Sequence, residues 1–222
     1  MQAATGQVVA KGLGMRLGSM AAALAAFFMG AASAEDGTFY MGAVATHEVS
    51  DANEFVFDDQ PGFHLIAGAE VARHWRAQAS VSRRRSDVVG IPPIETEGRY
   101  DSWAYMLTGL YHPLGVDARF SPYLGAGIGL HLAELRAFAT EEQVAVRPET
   151  LDLGYPEQEF REIAGQAQLG TTVRLTDHLS LNLVGTYYHS GTYTYEATFP
   201  NNPRVEANFR TYALGGGLLV RF

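Results

Sequence analysis

One adjacent pair of side chains in the sequence could form an activated nucleophile. His189 and Ser190 are neighbours, and Glu196 follows a few residues later. Together they have the composition of the base, the nucleophile and the orienting acid of a hydrolase or acyltransferase. Adjacent residues of a strand point to opposite faces, however, so in a strand His189 is poorly placed to take a proton from Ser190. If this segment is a strand, we predict a histidine at the rim and no catalytic residue.

Two further kinds of stretch could bind ions. Arg83, Arg84 and Arg85 are consecutive, and guanidinium groups bind phosphate through paired hydrogen bonds. A solvated run of charge is the alternative. Acidic residues gather at 51–59 and 141–159, but neither stretch has the ligand spacing of a calcium loop, so we predict no metal site. No glycine-rich phosphate loop opens a helix, and no cofactor is predicted.

The first 34 residues have the layout of a cleavable export signal. Lys11 and Arg16 give a positive start, residues 17–31 are apolar, and residues 32–34, Ala-Ser-Ala, form a cleavage site. A retained transmembrane helix is the alternative, but the apolar run is short and acidic sequence follows it. We predict a signal peptide over residues 1–34, with Met15 as a second candidate start, and one mature domain over residues 35–222.

Charge and cysteine content narrow the class of the mature chain. Cleavage would remove two of the 16 basic groups and none of the 24 acidic ones, and the remainder contains no lysine and no cysteine. Nucleic acid is a poor partner for such a chain, because neutralising phosphates needs clustered positive charge. A helical membrane protein is excluded, because no run of about 18 apolar residues follows the signal.

From residue 37 onward the sequence repeats one unit, in which about ten residues of alternating character precede a polar break. We predict eight strands at residues 38–46, 63–72, 75–85, 100–111, 122–136, 160–175, 179–195 and 207–222. Long breaks alternate with short ones: the long breaks are 47–62, 86–99, 137–159 and 196–206, and the short breaks are 73–74, 112–121 and 176–178. This alternation is typical of an up-and-down barrel with long loops on one side of a membrane.

The predicted fold class is therefore an all-β, eight-stranded antiparallel up-and-down transmembrane β-barrel. A soluble barrel or sandwich also alternates, but here the polar face is rich in small residues and the aromatic residues gather at strand ends. Gly125, Gly127 and Gly129 share one face and would leave room in a crowded interior. Gly191 predicts an irregularity in its strand.

Several charged residues fall on predicted interior faces. They are Glu70, Arg76, Glu162, Arg174 and Arg221. Isolated ions inside a barrel are costly, so pairs are expected. At eight strands side chains fill the interior, which favours an ion-paired network that fixes the barrel over the alternative of a gated polar conduit.

Two stretches carry a resemblance to a known family. The run YMLTGLYHPLGVDARFSPYLGAGIGL, residues 105–130, resembles the middle of small outer-membrane β-barrel proteins of the OmpA-like, opacity-type family, whose strand pattern PYxGxGxG matches residues 122–129. The end of the chain, LLVRF, is similar to the C-terminal signal of this class. By that resemblance, the barrel-assembly machinery would read the alternate residues Tyr212, Leu214, Leu218, Val220 and Phe222. We expect no peptidoglycan-binding domain after Phe222, so a wall-anchoring role is not carried over.

The resemblance implies a location in the cell outer membrane, with short turns in the periplasm and four long loops outside. Expected partners are outer-membrane lipid, lipopolysaccharide at Arg83, Arg84 and Arg85, the assembly machinery, and an extracellular ligand of the loops. We predict a structural or surface-interaction protein that is not an enzyme. Passage of small or apolar solutes is the first alternative. A hydrolase or acyltransferase acting on lipid A through His189 and Ser190 is the second.

Overall fold

A computed structural model describes residues 38–52, 56–57, 60–90, 96–139, 154–196 and 204–222. The predicted signal peptide, residues 1–34, lies outside these ranges. Contacts divide the chain into Met1–Thr38 and Phe39–Phe222, and the second unit contains the strands. No helix in the described ranges is long and apolar enough to span a membrane.

The described part of the chain contains strands in an uninterrupted series. They are β1 (Phe39–Ala52), β2 (Val56–Phe57), β3 (Gln60–Ala72), β4 (Trp75–Gly90), β5 (Thr96–Tyr111), β6 (Phe120–Ala139), β7 (Gly154–Arg174), β8 (Leu179–Glu196) and β9 (Arg204–Arg221). β2 is a two-residue strand that pairs with the far end of β4. The other eight are long, from 13 residues in β3 to 21 in β7.

The eight long strands close into a barrel. Each pairs antiparallel with its neighbours in the chain, and β1 pairs with β9 to close the sheet. Each therefore has a partner on both edges, as a membrane-spanning sheet requires. The predicted fold class is confirmed. The strands extend further into the long breaks than predicted. For example, β1 continues to Ala52, because its ladder with β9 runs from the pair Tyr40–Arg221 to the pair Ala52–Phe209.

Short connections and chain ends share one end of the barrel, which we call the turn end. It contains residues 73–74, 112–119, 175–178 and the two ends of the barrel chain. There the N–H of Phe222 donates to the carbonyl of Phe39 (2.9 Å), and the N–H of Arg221 donates to the carbonyl of His178 (2.8 Å). At the opposite end, which we call the loop end, β1, β4, β6 and β8 finish and β3, β5, β7 and β9 begin.

The two faces of the wall have opposite character. Apolar side chains point outward and are exposed, including Ile128, Ile163, Leu169, Leu183, Leu214 and Leu218. Aromatic residues mark both margins of this band: Trp75 and Tyr111 contact each other at the turn end, and Tyr187 and Tyr212 toward the loop end. Such girdles are typical of barrels at membrane interfaces.

The inward face is polar and closely packed. A Cβ added at Gly127 would lie 2.6 Å from Thr108 Oγ1, and one at Gly129 would lie 2.6 Å from Met106 Sδ. Glycine is thus required at both positions by the side chains opposite, as the sequence predicted. The irregularity predicted at Gly191 is also present, because that residue has a φ of 52° beside a register shift in the β8–β9 ladder.

Candidate functional site

A cluster of charges crosses the lumen near the turn end. Glu70 Oε1 accepts from Arg76 Nη2 at 2.9 Å and from Arg221 Nη2 at 2.6 Å. Asp117 Oδ1 accepts from Arg174 Nη2 at 3.2 Å and from Arg221 Nη2 at 3.4 Å. Arg221 therefore joins the two carboxylates. We call these five residues the turn-end cluster.

Arg76 is the most enclosed cation of the turn-end cluster. Its Nη2 also donates to the carbonyl of Val116 at 3.2 Å, and its guanidinium lies 5.2 Å from the centre of the Tyr40 ring. These contacts spread the charge over a carboxylate, a carbonyl and a ring face. Arg76 thus links β1, β3, β4 and the connection between β5 and β6.

Asp117 lies in that connection and is largely exposed. Partial burial works to raise the pKa of Asp117, but hydrogen bonds from Arg174 and Arg221 outweigh it, and the pKa lies below its ordinary value. The carboxylate is therefore charged at neutral pH.

A buried histidine lies beside the turn-end cluster. His112 Nδ1 is 2.7 Å from Ser121 Oγ, and that hydroxyl donates to the carbonyl of Gly115 at 2.8 Å. Because the hydroxyl proton is donated to that carbonyl, the hydroxyl oxygen accepts from His112, and Nδ1 must carry the ring hydrogen. His112 Nε2 has no partner among the described residues. Burial, followed by the nearby Arg76, lowers the pKa of His112 to about 3.

Polar side chains fill the middle of the lumen. Tyr123 donates to Asn182 Oδ1 at 3.0 Å, and Tyr40 donates to Gln78 Oε1 at 3.4 Å. Tyr123, Asn182, Gln78 and Thr46 line part of a cavity of about 10 Å³. This is the room that a single water molecule needs.

A second cluster crosses the lumen toward the loop end, and we call it the loop-end cluster. Glu48 accepts from Arg84, from Thr46 at 2.8 Å and bonds His64 Nε2 at 2.9 Å. The Arg84 guanidinium lies 4.4 Å from the centre of the Tyr188 ring. Glu48 and Arg84 are 4% and 8% exposed, so their charges are compensated by each other rather than by water.

The three consecutive arginines divide between the two faces of β4. Arg84 is inside, so its predicted contact with lipopolysaccharide is wrong. The strand period forces its side chain to the face opposite its neighbours. Arg83 and Arg85 point outward and are 43% and 61% exposed. Both bond Asp101 Oδ2, at 2.8 Å and 3.0 Å, and Arg83 lies over the Trp103 ring.

The predicted lumen network comes together only in part. Glu70 and Arg76 pair directly, and Arg174 joins them through Asp117 and Arg221. Glu162 does not belong to this group: it lies on the loop-end half of β7, opposite His131, and forms no hydrogen bond or ion pair among the described residues. The sequence placed it on the correct face and near the start of its strand, but could not give its neighbours on other strands.

The pair considered as a nucleophile and its base is separated by the wall. Ser190 is fully buried inside, and its Oγ has no partner among the described residues, whereas His189 is on the outer face. No group of three metal-ligating side chains occurs in the described ranges. The side chain of Glu196 and those of residues 51–59 and 141–158 lie outside the described side chains, and Glu159, which ends the second acidic stretch, is exposed.

The residues predicted as an assembly signal lie together on the outside of β9. Tyr212, Leu214, Leu218, Val220 and Phe222 are all exposed there, from 40% for Val220 to 74% for Leu214. They form an apolar stripe that ends at the turn end. Their role in assembly stays a prediction.

Two carboxylates of the lumen clusters were missed by the sequence analysis. Glu48 was assigned to a loop, yet the alternation Val44, Thr46, Glu48 continues the inward face beyond the predicted strand end. Asp117 lies in a turn, where no strand period applies. Glu48 could have been found from its spacing of two residues from Thr46. The position of Asp117 depends on the folded path of the turn.

Solved structures share this fold at low sequence identity. Neisserial surface protein A (NspA) is 17% identical, with 84% of this chain and 100% of that chain covered and a TM-score of 0.56. OprG from Pseudomonas aeruginosa is 14% identical, with 84% and 95% covered and a TM-score of 0.59. Ail of Yersinia pestis, in complex with the heparin analogue sucrose octasulfate, is 11% identical, with 84% and 99% covered and a TM-score of 0.51. No curated protein sequence matches the chain.

A closed antiparallel barrel with an apolar outer wall and a paired, charged interior defines a transmembrane barrel of the outer-membrane class. The sequence matches the outer membrane protein beta-barrel domain over residues 19–222, and the chain belongs to that family. The family membership confirms the predicted resemblance and implies a location in the outer membrane.

Proposed function

We propose that the protein acts at the cell surface as a structural or interaction barrel, with its loop end outside and no solute path through its lumen. The observation that carries this proposal is the pairing of charges across the lumen at two levels. A conduit needs charges that face water, whereas these carboxylates and guanidinium groups bond one another. Residues 91–95 and 140–153 are then among the parts available to an extracellular ligand.

Topology is tested by tag accessibility. A peptide tag inserted within residues 140–153 should be labelled on intact cells, because the proposal places the loop end outside. A tag between Arg73 and His74 should be labelled only after the membrane is permeabilised. The reverse result would contradict the proposed orientation.

Passage of small or apolar solutes is tested by planar-bilayer recording. The folded protein should show no steady single-channel conductance, because two layers of paired charge lie in series. Steady conductance by protein that shifts on a gel when heated, as folded barrels do, would favour the passage alternative.

A lipid A hydrolase or acyltransferase is less well supported. The wall separates His189 from Ser190, so neither can activate the other. His189→Ala and Ser190→Ala should therefore leave the lipid A mass spectrum of the cells unchanged. A changed spectrum in both variants, at normal barrel levels, would establish an enzyme.

The outward arginines support a contact with lipopolysaccharide phosphate. Arg83 and Arg85 share Asp101, which offsets part of their charge. Ail, a barrel of the same fold, is known in complex with a heparin analogue, so we extend anionic glycan binding to this chain as a proposal. Asp101→Asn should increase the lipopolysaccharide that copurifies with the barrel, and Arg83→Gln/Arg85→Gln should decrease it. Equal amounts would contradict the contact.

A further inference from the structure

The lipid-facing wall contains an open groove on β7, β8, β9 and β1. Its volume is about 600 Å³. The small residues Ala167 and Gly185 form its floor, and Leu169, Leu214 and Tyr187 rise beside it. The groove is wide and almost wholly apolar along its sides, so it fits a hydrocarbon chain rather than a polar ligand.

The groove begins at the interfacial aromatic margin. Tyr187 and Tyr212 are directly opposite each other on β8 and β9, with ring centroids 5.3 Å apart. Tyrosines of this kind lie at the level of lipid headgroups, with the ring in the apolar region. The groove therefore extends from headgroup level into the acyl region of the outer leaflet.

A row of basic side chains lies just above that margin. His189 and Arg210 are paired across β8 and β9, two residues closer to the loop end than the tyrosines. Two residues of a strand correspond to about 7 Å. Both side chains belong to the outward face, so they lie where a phosphate would be if an acyl chain occupied the groove.

These basic groups have no anionic partner among the described side chains, which do not include that of Asp51, opposite Arg210 on β1. Arg210 is exposed and forms no ion pair among the described side chains. His189 Nδ1 is buried and has no hydrogen-bond partner within the same set. Arg83 and Arg85 on the far wall share Asp101. Among the described side chains, Arg210 is therefore the outward arginine better placed to bind an external anion.

We propose that this wall binds one phosphorylated, acylated glycolipid of the lipid A type, with an acyl chain in the groove and a phosphate bonded by Arg210 and His189. The inference rests on the outer-membrane location in the proposed function and is independent of the loops and the lumen. The protein is then a specific lipid-binding barrel on one side of its wall.

Lipid retention tests the proposal. The barrel is folded in neutral detergent, mixed with bisphosphorylated lipid A and measured by native mass spectrometry. Arg210→Gln and Gly185→Leu should each weaken retention by about tenfold, the first by removing a charged hydrogen bond and the second by filling the groove. Gly109→Leu, an outward glycine on β5 with open space around it, and Arg119→Gln at the turn end are matched controls that should retain lipid A as the wild type does.

Other possible occupants of the groove would give different results in this binding measurement. Dephosphorylated lipid A should bind at least about tenfold more weakly than the bisphosphorylated form, with Arg210→Gln removing that difference. Phosphatidylglycerol that binds as tightly as lipid A would overturn the glycolipid assignment. If the protein forms a dimer in lipid-free detergent and Gly185→Leu abolishes it, the groove is a self-association face. Equal retention of lipid A by all four variants would overturn the proposed site. Heat-shifted gel mobility verifies that each variant is folded. Neither bilayer conductance nor tag labelling should change in these variants. A failure of the lipid-binding proposal therefore leaves the proposed function unaffected.

Discussion

Arg221 on the last strand donates a hydrogen bond of 2.6 Å to Glu70 on β3, across β1, which lies between their two strands. The contact ties the closing strand to the first hairpin from inside the lumen. It supplements the backbone ladder at the seam where the barrel closes.

Removing the anion of this contact should destabilise the barrel. Glu70→Gln leaves Arg76 without a carboxylate and leaves Arg221 with only its longer bond to Asp117. Breaking a buried pair in this way costs about 3 kcal/mol. Urea unfolding in lipid vesicles, followed by tryptophan fluorescence, measures the change. Asp177→Asn, an exposed carboxylate in a turn, is the control and should stay within about 0.5 kcal/mol of wild type. Equal unfolding midpoints for the two variants would contradict a structural role of Glu70.

Opening one layer of the lumen should not create a channel. The variant Glu48→Ala/Arg84→Ala removes the ion pair of the loop-end cluster but leaves the turn-end cluster, so bilayer conductance should remain absent. Adding Glu70→Ala and Arg76→Ala should produce a measurable leak, provided that the protein still shifts on heating. Steady conductance of the first variant alone would show that the turn end does not close the lumen.

The buried His112 should make the barrel less stable in mild acid. The unfolded chain takes up this proton near the ordinary pKa of 6.5, whereas in the folded state the pKa is about 3. Stability is therefore lost as pH falls from about 6.5 toward 3, by at most about 1.4 kcal/mol per pH unit. Urea midpoints across this range measure the loss, which begins above the range in which carboxylates titrate.

His112→Asn is the matched variant for that measurement. Its side-chain amide can still donate to Ser121 Oγ, but it does not titrate. The dependence on pH between about 6 and 5 should therefore become flatter. An unchanged slope would assign the acid sensitivity to another group.

Two variants of Phe222 separate its side chain from its backbone. Deletion removes both the exposed ring and the hydrogen bond to Phe39, whereas Phe222→Ala keeps that bond. If the ring is the assembly signal, both variants should reduce outer-membrane levels several-fold, while unaided refolding of Phe222→Ala in detergent stays normal. Leu114→Ala, an exposed apolar residue in a turn, is the control. Normal cellular levels of Phe222→Ala would locate the signal elsewhere.

The face of each residue could be predicted, but its partner could not. A period of two placed Arg76, Glu70 and Arg174 inside, and the same period separates Arg84 from its neighbours once the strand is known. Partners depend on strand register, which no local pattern contains. Glu162 and Arg174 were already predicted near opposite ends of one strand, but the register was needed to show that Glu162 lies opposite His131.

The outer groove was also beyond the sequence. Ala167, Gly185 and Leu214 are unremarkable residues of their own strands, and only their alignment across three strands creates a depression. The same holds for His189 and Arg210, which are far apart in the chain and become neighbours through the β8–β9 ladder.

Because the strands differ in length, one side of the barrel extends further from the membrane than the other. A tilted strand gains about 2.6 Å of height per residue, and about ten residues cross the membrane. β6 and β7 have 20 and 21 residues, so their hairpin rises about 25 Å above the apolar band, whereas β3, with 13 residues, barely clears it. The rim of the barrel at the loop end is thus higher on the side of β6 and β7 than on the side of β3. We expect a particle that approaches the cell to contact the β6–β7 hairpin first, at a distance from the lipid surface, before it can contact the side of β3.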